Sequence, residues 1–375
     1  MTAPHPPTGT LAGVLPGALA ALGTGSPDPL GLADAIGPVR QVVVLLVDGL
    51  GHRLLPAAAH ADPLFADIVA GTAGTLRELA SAFPSTTPTS LVTLGTGTLP
   101  GAHGILGFTL NVPGSDRVLT HIAWRADPDP SVWQPQPRLL DASAAVTTSV
   151  VASADYAGSG LSTAAYGAPR YLGTGRRLGL ARAVLREVSA GTQLVYGYHP
   201  ALDTSLHLHG LDSDEWRAAA RDVARIITQI VERLPADAVL LVTADHGGLD
   251  VPPDRRFDLD TDPRLRAGVR VVAGEPRARY LHTEPGATDD VLAAWRAVLG
   301  DSTLVMSREE AVAAGWFGPV RPEHLPRIGD VVTVSRDDTV VLATAHEPAM
   351  VAKLVGYHGA ATPAETAIPL IALRR

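Results

Sequence analysis

Four short runs of apolar residues constrain this chain more than anything else in it. Gln41–Val47 reads QVVVLLV, and Thr148–Ala152, Gln193–Tyr198 and Ala238–Thr243 (AVLLVT) are alike. A strand with one wet face alternates polar and apolar residues; a strand apolar at every position needs cover on both faces. Between the last two runs, Ser213–Leu234 places Trp216, Ala219, Val223, Ile226, Ile227 and Ile230 at helical spacing behind a Ser/Asp start. Strand, long helix, strand is the βαβ unit, and the expected architecture is α/β: a three-layer α/β/α sandwich around a mostly parallel sheet.

Two stretches break the rhythm. Residues 109–140 are rich in Pro, Asp and Trp and lack periodicity, which predicts a cap insertion. Residues 251–336 open on PPDRRFDLDTDPR, then give strand-like VRVVAG and RARYLH and a helix around Val291–Leu299. That pattern predicts a small α+β subdomain inserted into a single catalytic domain spanning 1–375. Arg255, Arg256, Asp258, Asp260 and Asp262 read as its solvated entry.

The chain has 375 residues, 30 basic against 38 acidic, for a net charge of −8, and no cysteine. The missing thiol excludes disulfides, cysteine zinc ribbons, iron–sulfur clusters and thiol nucleophiles. Any metal must therefore sit on His, Asp, Glu or hydroxyl groups. An acidic chain with a single lysine, Lys353, and no basic run is a poor ligand for a nucleic-acid polymer. No apolar run approaches the ~20 residues of a bilayer span. Leu11–Gly23 carries Pro16 and no preceding Lys or Arg, so it reads as a short helix and not a secretory signal. The expectation is a cytoplasmic protein with no membrane partner.

Five segments place ligand-capable side chains at strand ends or helix starts, where parallel sheets build their sites. Asp48 follows the first strand in VDGLGH, and reads equally as a metal or phosphate site or as a helix cap. FPSTTPTS, residues 83–90, puts hydroxyls before an apolar helical stretch. A helix N-terminus attracts phosphate and a metal-bound Thr is a stronger nucleophile, but plain capping also fits. Asp203 and His207 share a face if their turn is helical, with His199 and His209 beside them. Asp245 and His246 end a strand in TADHGGLD, and both are costly to bury without a partner. His358 lies in GYHGA ahead of a final apolar run. Three Asp, three His and one Thr suffice for two tetrahedral divalent sites sharing one phosphate. His103 reads as loop support, and His5, His60, His121, His282, His324 and His346 as surface or structural residues, His346 being the one rival to His358.

These five segments, in this order, resemble the alkaline phosphatase superfamily, and within it the type I phosphodiesterase and nucleotide pyrophosphatase group. The resemblance rests on VDGLG, FPSTTPTS with TGTLPGAHGI, Asp203-x-x-x-His207 closing in HxxG, TADHGGLD and GYHGA, and spans about residues 41 to 372. It implies two divalent ions, zinc foremost: one on Asp203, His207 and His358, the other on Asp48, Asp245, His246 and the nucleophile Thr87. Thr87 is chosen over Thr86 by gapless alignment from Phe83-Pro84. The implied reaction is hydrolysis of a phosphodiester or nucleotide pyrophosphate through a phosphothreonine, with a small phosphate ester as the partner. Where the family carries an Asn, three residues after the nucleophile, this chain has Ser90. A monoesterase, a phosphonate hydrolase and a non-catalytic metal-binding homologue are the alternatives. Trp124, Trp133 and Tyr156 are candidates for stacking on a base, although packing is the commoner use.

Overall fold

The computed structural model describes residues 9–141, 145–175 and 179–375; His5 lies outside them. Seven strands form the main sheet: β1 (Gln41–Val47), β2 (Thr75–Ala80), β3 (Thr148–Ser153), β4 (Arg170–Thr174), β5 (Leu194–His199), β6 (Ala238–Thr243) and, at the far end of the chain, β11 (Ala367–Leu373). Their order is β2-β11-β6-β1-β5-β3-β4. All run parallel except β11, which is antiparallel to both its neighbours. The four apolar runs are four of these strands, and every residue of β5 and β6 is buried, as is β1 after Gln41. The helix-linked strands β5 and β6 are not neighbours: β1 lies between them and pairs in parallel with both.

Helix α1 (Val14–Ala21) is the short N-terminal helix, with Val14 to Leu19 buried. Helix α2 (Thr87–Thr96) follows β2, and helix α3 (Ala201–His209) follows β5. Helix α4 (Asp214–Val231) then returns the chain to β6. Its N-cap Ser213 accepts from the Trp216 amide, Asp214 and Glu215 face the positive end of the dipole, and the predicted apolar stripe is buried.

The insert is an antiparallel sheet of β7 (Val269–Glu275), β8 (Ala278–Thr283), β9 (Thr303–Ser307) and β10 (Val331–Ser335), ordered β7-β8-β10-β9. Its helix α5 (Thr288–Leu299) contributes Val291, Trp295 and Leu299 to a separate apolar cluster with Leu281 and Val331. The charged entry is partly exposed and is also paired. Asp258 accepts from the Thr344 hydroxyl at 2.6 Å, Asp260 accepts from the Ala345 amide at 2.8 Å and pairs with His346, and Arg255 pairs with Asp337 and Asp338. These groups tie the insert's opening turn to the segment that leaves it.

Residues 109–140 hold a small hairpin, Thr109–Asn111 with Val118–Thr120, and two buried tryptophans. Trp133 donates to His121 Nε2 at 3.1 Å and carries the Arg327 guanidinium 3.7 Å above its ring, so it packs and does not face a ligand. No helix among the described residues is long and apolar enough to cross a membrane.

Candidate metal centre and nucleophile

Register explains why distant segments meet. Val47 pairs with His199 and Leu46 with Thr243, so Asp48, the start of α3 and Asp245 leave the sheet at one edge. Because β11 runs backwards, with Ala367 against Ala80, the His358 loop enters at that same edge beside the segment from β2 to Thr87. Gly49 makes the turn after β1: its φ is +74°, and a Cβ there would lie 2.9 Å from the Asp203 backbone.

The structure brings together all seven residues expected as ligands. His207 Nε2 lies 3.3 Å from Asp203 Oδ2 and 3.2 Å from His358 Nε2, which is itself 3.6 Å from Asp203 Oδ1. His246 Nε2 lies 3.4 Å from Asp48 Oδ1, 3.3 Å from Asp245 Oδ2 and 3.1 Å from Thr87 Oγ1. Asp203, His207 and His358 form one potential ligand group and Asp48, Asp203 and His246 another. The His246 and His358 rings stack, centroids 3.6 Å apart and 14° from parallel.

The proton positions follow from the other ring nitrogens. Nδ1 of His207, His246 and His358 faces the carbonyls of Gly356, Gly247 and Ser85 at 2.8, 2.9 and 2.8 Å. A carbonyl only accepts, so each Nδ1 carries a hydrogen and each ring turns Nε2, a nitrogen that can ligate a metal, into the cluster. Facing them are Asp48 Oδ1, Asp203 Oδ1 and Asp245 Oδ2, all buried and without a hydrogen-bond donor. Nitrogen and carboxylate oxygen atoms crowded together in this way need a proton or a metal cation between them, and the donor set suits zinc and similar divalent ions.

Electrostatics agree. Burial, then Asp245 and Asp203, push the Asp48 carboxyl well above the usual range, and burial does the same to Asp245. Burial, with His246 and His358's other neighbour His207, holds His358 well below ordinary histidine, keeping it neutral. The remaining oxygen of Asp48 accepts from the Tyr198 hydroxyl, a partner that periodicity gave no reason to single out. Burial and Asp48 hold that phenol protonated. Asp245 Oδ1 accepts from the amides of Gly49 and His246, each at 3.1 Å.

Thr87 is the first residue of α2, whose positive end points into the cluster, and it is Thr87 whose hydroxyl meets His246; Thr86 is the fully buried N-cap. Ser90 is also fully buried, its hydroxyl 3.1 Å from that of Ser81, which donates to the Asp245 carbonyl. Standing where the family carries an Asn, it is tied through Ser81 to the Asp245 strand end. His103 lies between the Thr93 hydroxyl and the Ile105 amide, as a loop support should. His346 is paired with Asp260, away from the cluster, and His209 is exposed.

Thr87 also borders a cavity of about 390 Å³, lined by Trp124, Arg125, Tyr156, Tyr171 and Tyr198 among others. These four aromatic rings, with Tyr166 as a fifth, were invisible as a group in the sequence because each comes from a different element.

A mostly parallel sheet gathering Asp, His and Thr at its carboxyl edge defines a phosphoric ester hydrolase of the alkaline phosphatase superfamily. The sequence model of type I phosphodiesterase/nucleotide pyrophosphatase matches residues 42–361, and the chain belongs to that family. A search of curated protein sequences gives no significant match. Among solved structures, murine ectonucleotide pyrophosphatase/phosphodiesterase 5 is similar at 18% identity and a TM-score of 0.71, covering 89% of this chain and 88% of its own. An inactive form of that protein in complex with AMP gives the same values. Phosphonoacetate hydrolase from Sinorhizobium meliloti 1021, in complex with phosphonoacetate, is similar at 19% identity and a TM-score of 0.65, covering 90% of each chain.

Proposed function

We propose that this protein is a two-metal hydrolase that cleaves a phosphodiester or nucleotide pyrophosphate bond through a phosphothreonine on Thr87. The observation that carries the reading is the facing of three imidazole Nε2 atoms, donor-less Asp oxygens and the Thr87 hydroxyl within one cluster, beside a cavity. Asp203, His207 and His358 would hold one divalent ion, and Asp48, Asp245, His246 and Thr87 the other, zinc in both. Bound there, such ions supply charge that lowers the Thr87 hydroxyl pKa and screens the phosphate.

The chain's own groups do the rest. Thr87 Oγ1 attacks phosphorus in line; its bond to phosphorus forms as the bond to the leaving oxygen breaks, and that oxygen departs with a proton from solvent. Water then attacks the phosphothreonine, Thr87 recovers its proton, and phosphate monoester is released. The N-terminal end of α2 meets the phosphate charge throughout. Tyr198 holds Asp48 in place. The aromatic cavity would take the organic part of the ester, with the 109–140 segment as its cap, in a three-layer domain carrying the 251–336 insert. A nucleoside fits such a lining, and the AMP complex of the murine relative supports that reading. The likeness to a phosphonoacetate hydrolase favours a second one, a phosphonate or monoester substrate on the same metals.

Turnover of bis-p-nitrophenyl phosphate, p-nitrophenyl phosphate and a phosphonate, measured with zinc and after chelation, separates these. The diester is expected to turn over fastest and chelation to abolish all activity. Activity that survives full chelation would sink the two-metal reading.

A further inference from the structure

Seven residues past His358 lies a carboxylate that nothing above has used. Glu365 and its partner Arg277 are both almost wholly buried. Arg277 donates Nε to Oε1 at 2.9 Å and Nη2 to Oε2 at 2.7 Å, the planar two-point pairing in which both groups are fixed. Arg277 Nη1 donates to the carbonyls of Asp337 and Thr339, which fix the guanidinium in turn. A pair so far from water contributes little net stability, since desolvation offsets the attraction and apolar side chains could fill the space.

What the pair does hold is the two histidine loops. Glu365 Oε1 also accepts from the Ala360 amide at 2.9 Å, two residues past His358. The Glu365 backbone carbonyl accepts from the Gly247 amide at 2.8 Å, one residue past His246. Oε2 accepts from the Thr362 hydroxyl at 2.6 Å. With four donors on four lone-pair positions, the carboxylate has none left for a metal or a proton transfer. Packing is as close: a Cβ on Gly247 would stand 2.1 Å from the Ala364 carbonyl.

The geometry points to Glu365, aimed by Arg277, as a positioning residue that fixes the separation of the His246 and His358 imidazoles and so of the two metal-ligand groups. This rests on the metal reading above. Arg277 belongs to the turn between β7 and β8, so the insert shapes the centre while contributing no residue to either ligand group.

Zinc titration of chelator-stripped wild type, Arg277→Met/Glu365→Gln and Arg277→Met/Glu365→Leu tests it. Both doubles remove the buried charges together; only Gln keeps an acceptor for the Ala360 amide. The Gln double is expected within about threefold of wild-type zinc affinity, and the Leu double 10- to 100-fold weaker, the usual range for loss of a group that orients ligands, with unchanged circular dichroism. Equal affinity of the Leu double and wild type overturns the positioning role. If the Leu double does not fold, amide exchange in metal-free wild type decides. Ala360 and Gly247 amides as protected as with zinc support the role; fast exchange overturns it, because the ion and not Glu365 would then order the loops. Wild type that takes up no zinc removes the metal reading itself, and this inference with it.

Discussion

Glu275 ends β7 with its carboxyl buried beside Gly359 and near Thr86 and Arg279. Burial raises it from the ordinary 4.5 to about 8, against the smaller opposing pulls of the Thr86 hydroxyl and Arg279. The native protein therefore keeps this proton through neutral pH while the unfolded chain has lost it. A group whose folded value is raised contributes stability that is complete below pH 4.5 and is lost as pH climbs to 8. Over the three units from pH 5 to 8 the loss is about 4 kcal/mol. Glu275→Gln has the same shape as the protonated acid and no proton to lose. Urea unfolding of both proteins at pH 5, 7 and 8.5, with chelator in every sample so that metal binding does not intrude, should give near-equal stabilities at pH 5. The variant should lead by about 4 kcal/mol at pH 8.5. A difference that stays constant across this range would refute the argument, and a variant that is weaker throughout would mean that native Glu275 is ionised.

Three further outcomes are expected. Thr87→Ala should abolish turnover while metal analysis still finds about two ions per chain; full activity would assign the nucleophile elsewhere. Tyr198→Phe removes the donor to Asp48 and should lower zinc affinity or kcat/KM by about 10- to 100-fold, read by titration and steady-state kinetics. Arg125 is the one cation lining the cavity beside Thr87 among the described residues. Arg125→Ala should raise KM for substrates with an additional negative charge by roughly tenfold, a loss of about 1.4 kcal/mol, and leave a singly charged diester unchanged.

What could be read in the sequence was whatever short-range pattern determines. Ala238–Thr243 is a strand over those very residues, because a run apolar on both faces has only the middle of a sheet to occupy. The Asp203–His207 spacing holds because helix geometry alone sets it. What escaped depends on partners far along the chain. The place of β1 between β5 and β6, and the reversed direction of β11, are decided by how the whole sheet closes. The partners of Ser90 and Asp260 escaped for the same reason: a polar side chain shows its type in sequence, and its partner, Ser81 or His346, only in space.

The position of β11 sets an order on assembly. In the main sheet β2 touches no strand but β11, and β11 is the only link between β2 and β6. A growing chain can build β6-β1-β5-β3-β4 early, with β2 tied to the N-terminal segment through the Ala80 amide on the Gly9 carbonyl and Arg77 on the Leu30 carbonyl, while β6 keeps an open edge until residues 367–373 arrive. That insertion pairs β11 with β2 and β6 and so brings the His358 loop beside the Thr87 segment. The pairing of residues 367–373 with 75–80 joins segments nearly three hundred residues apart, a long-range contact of the kind that is slow to form.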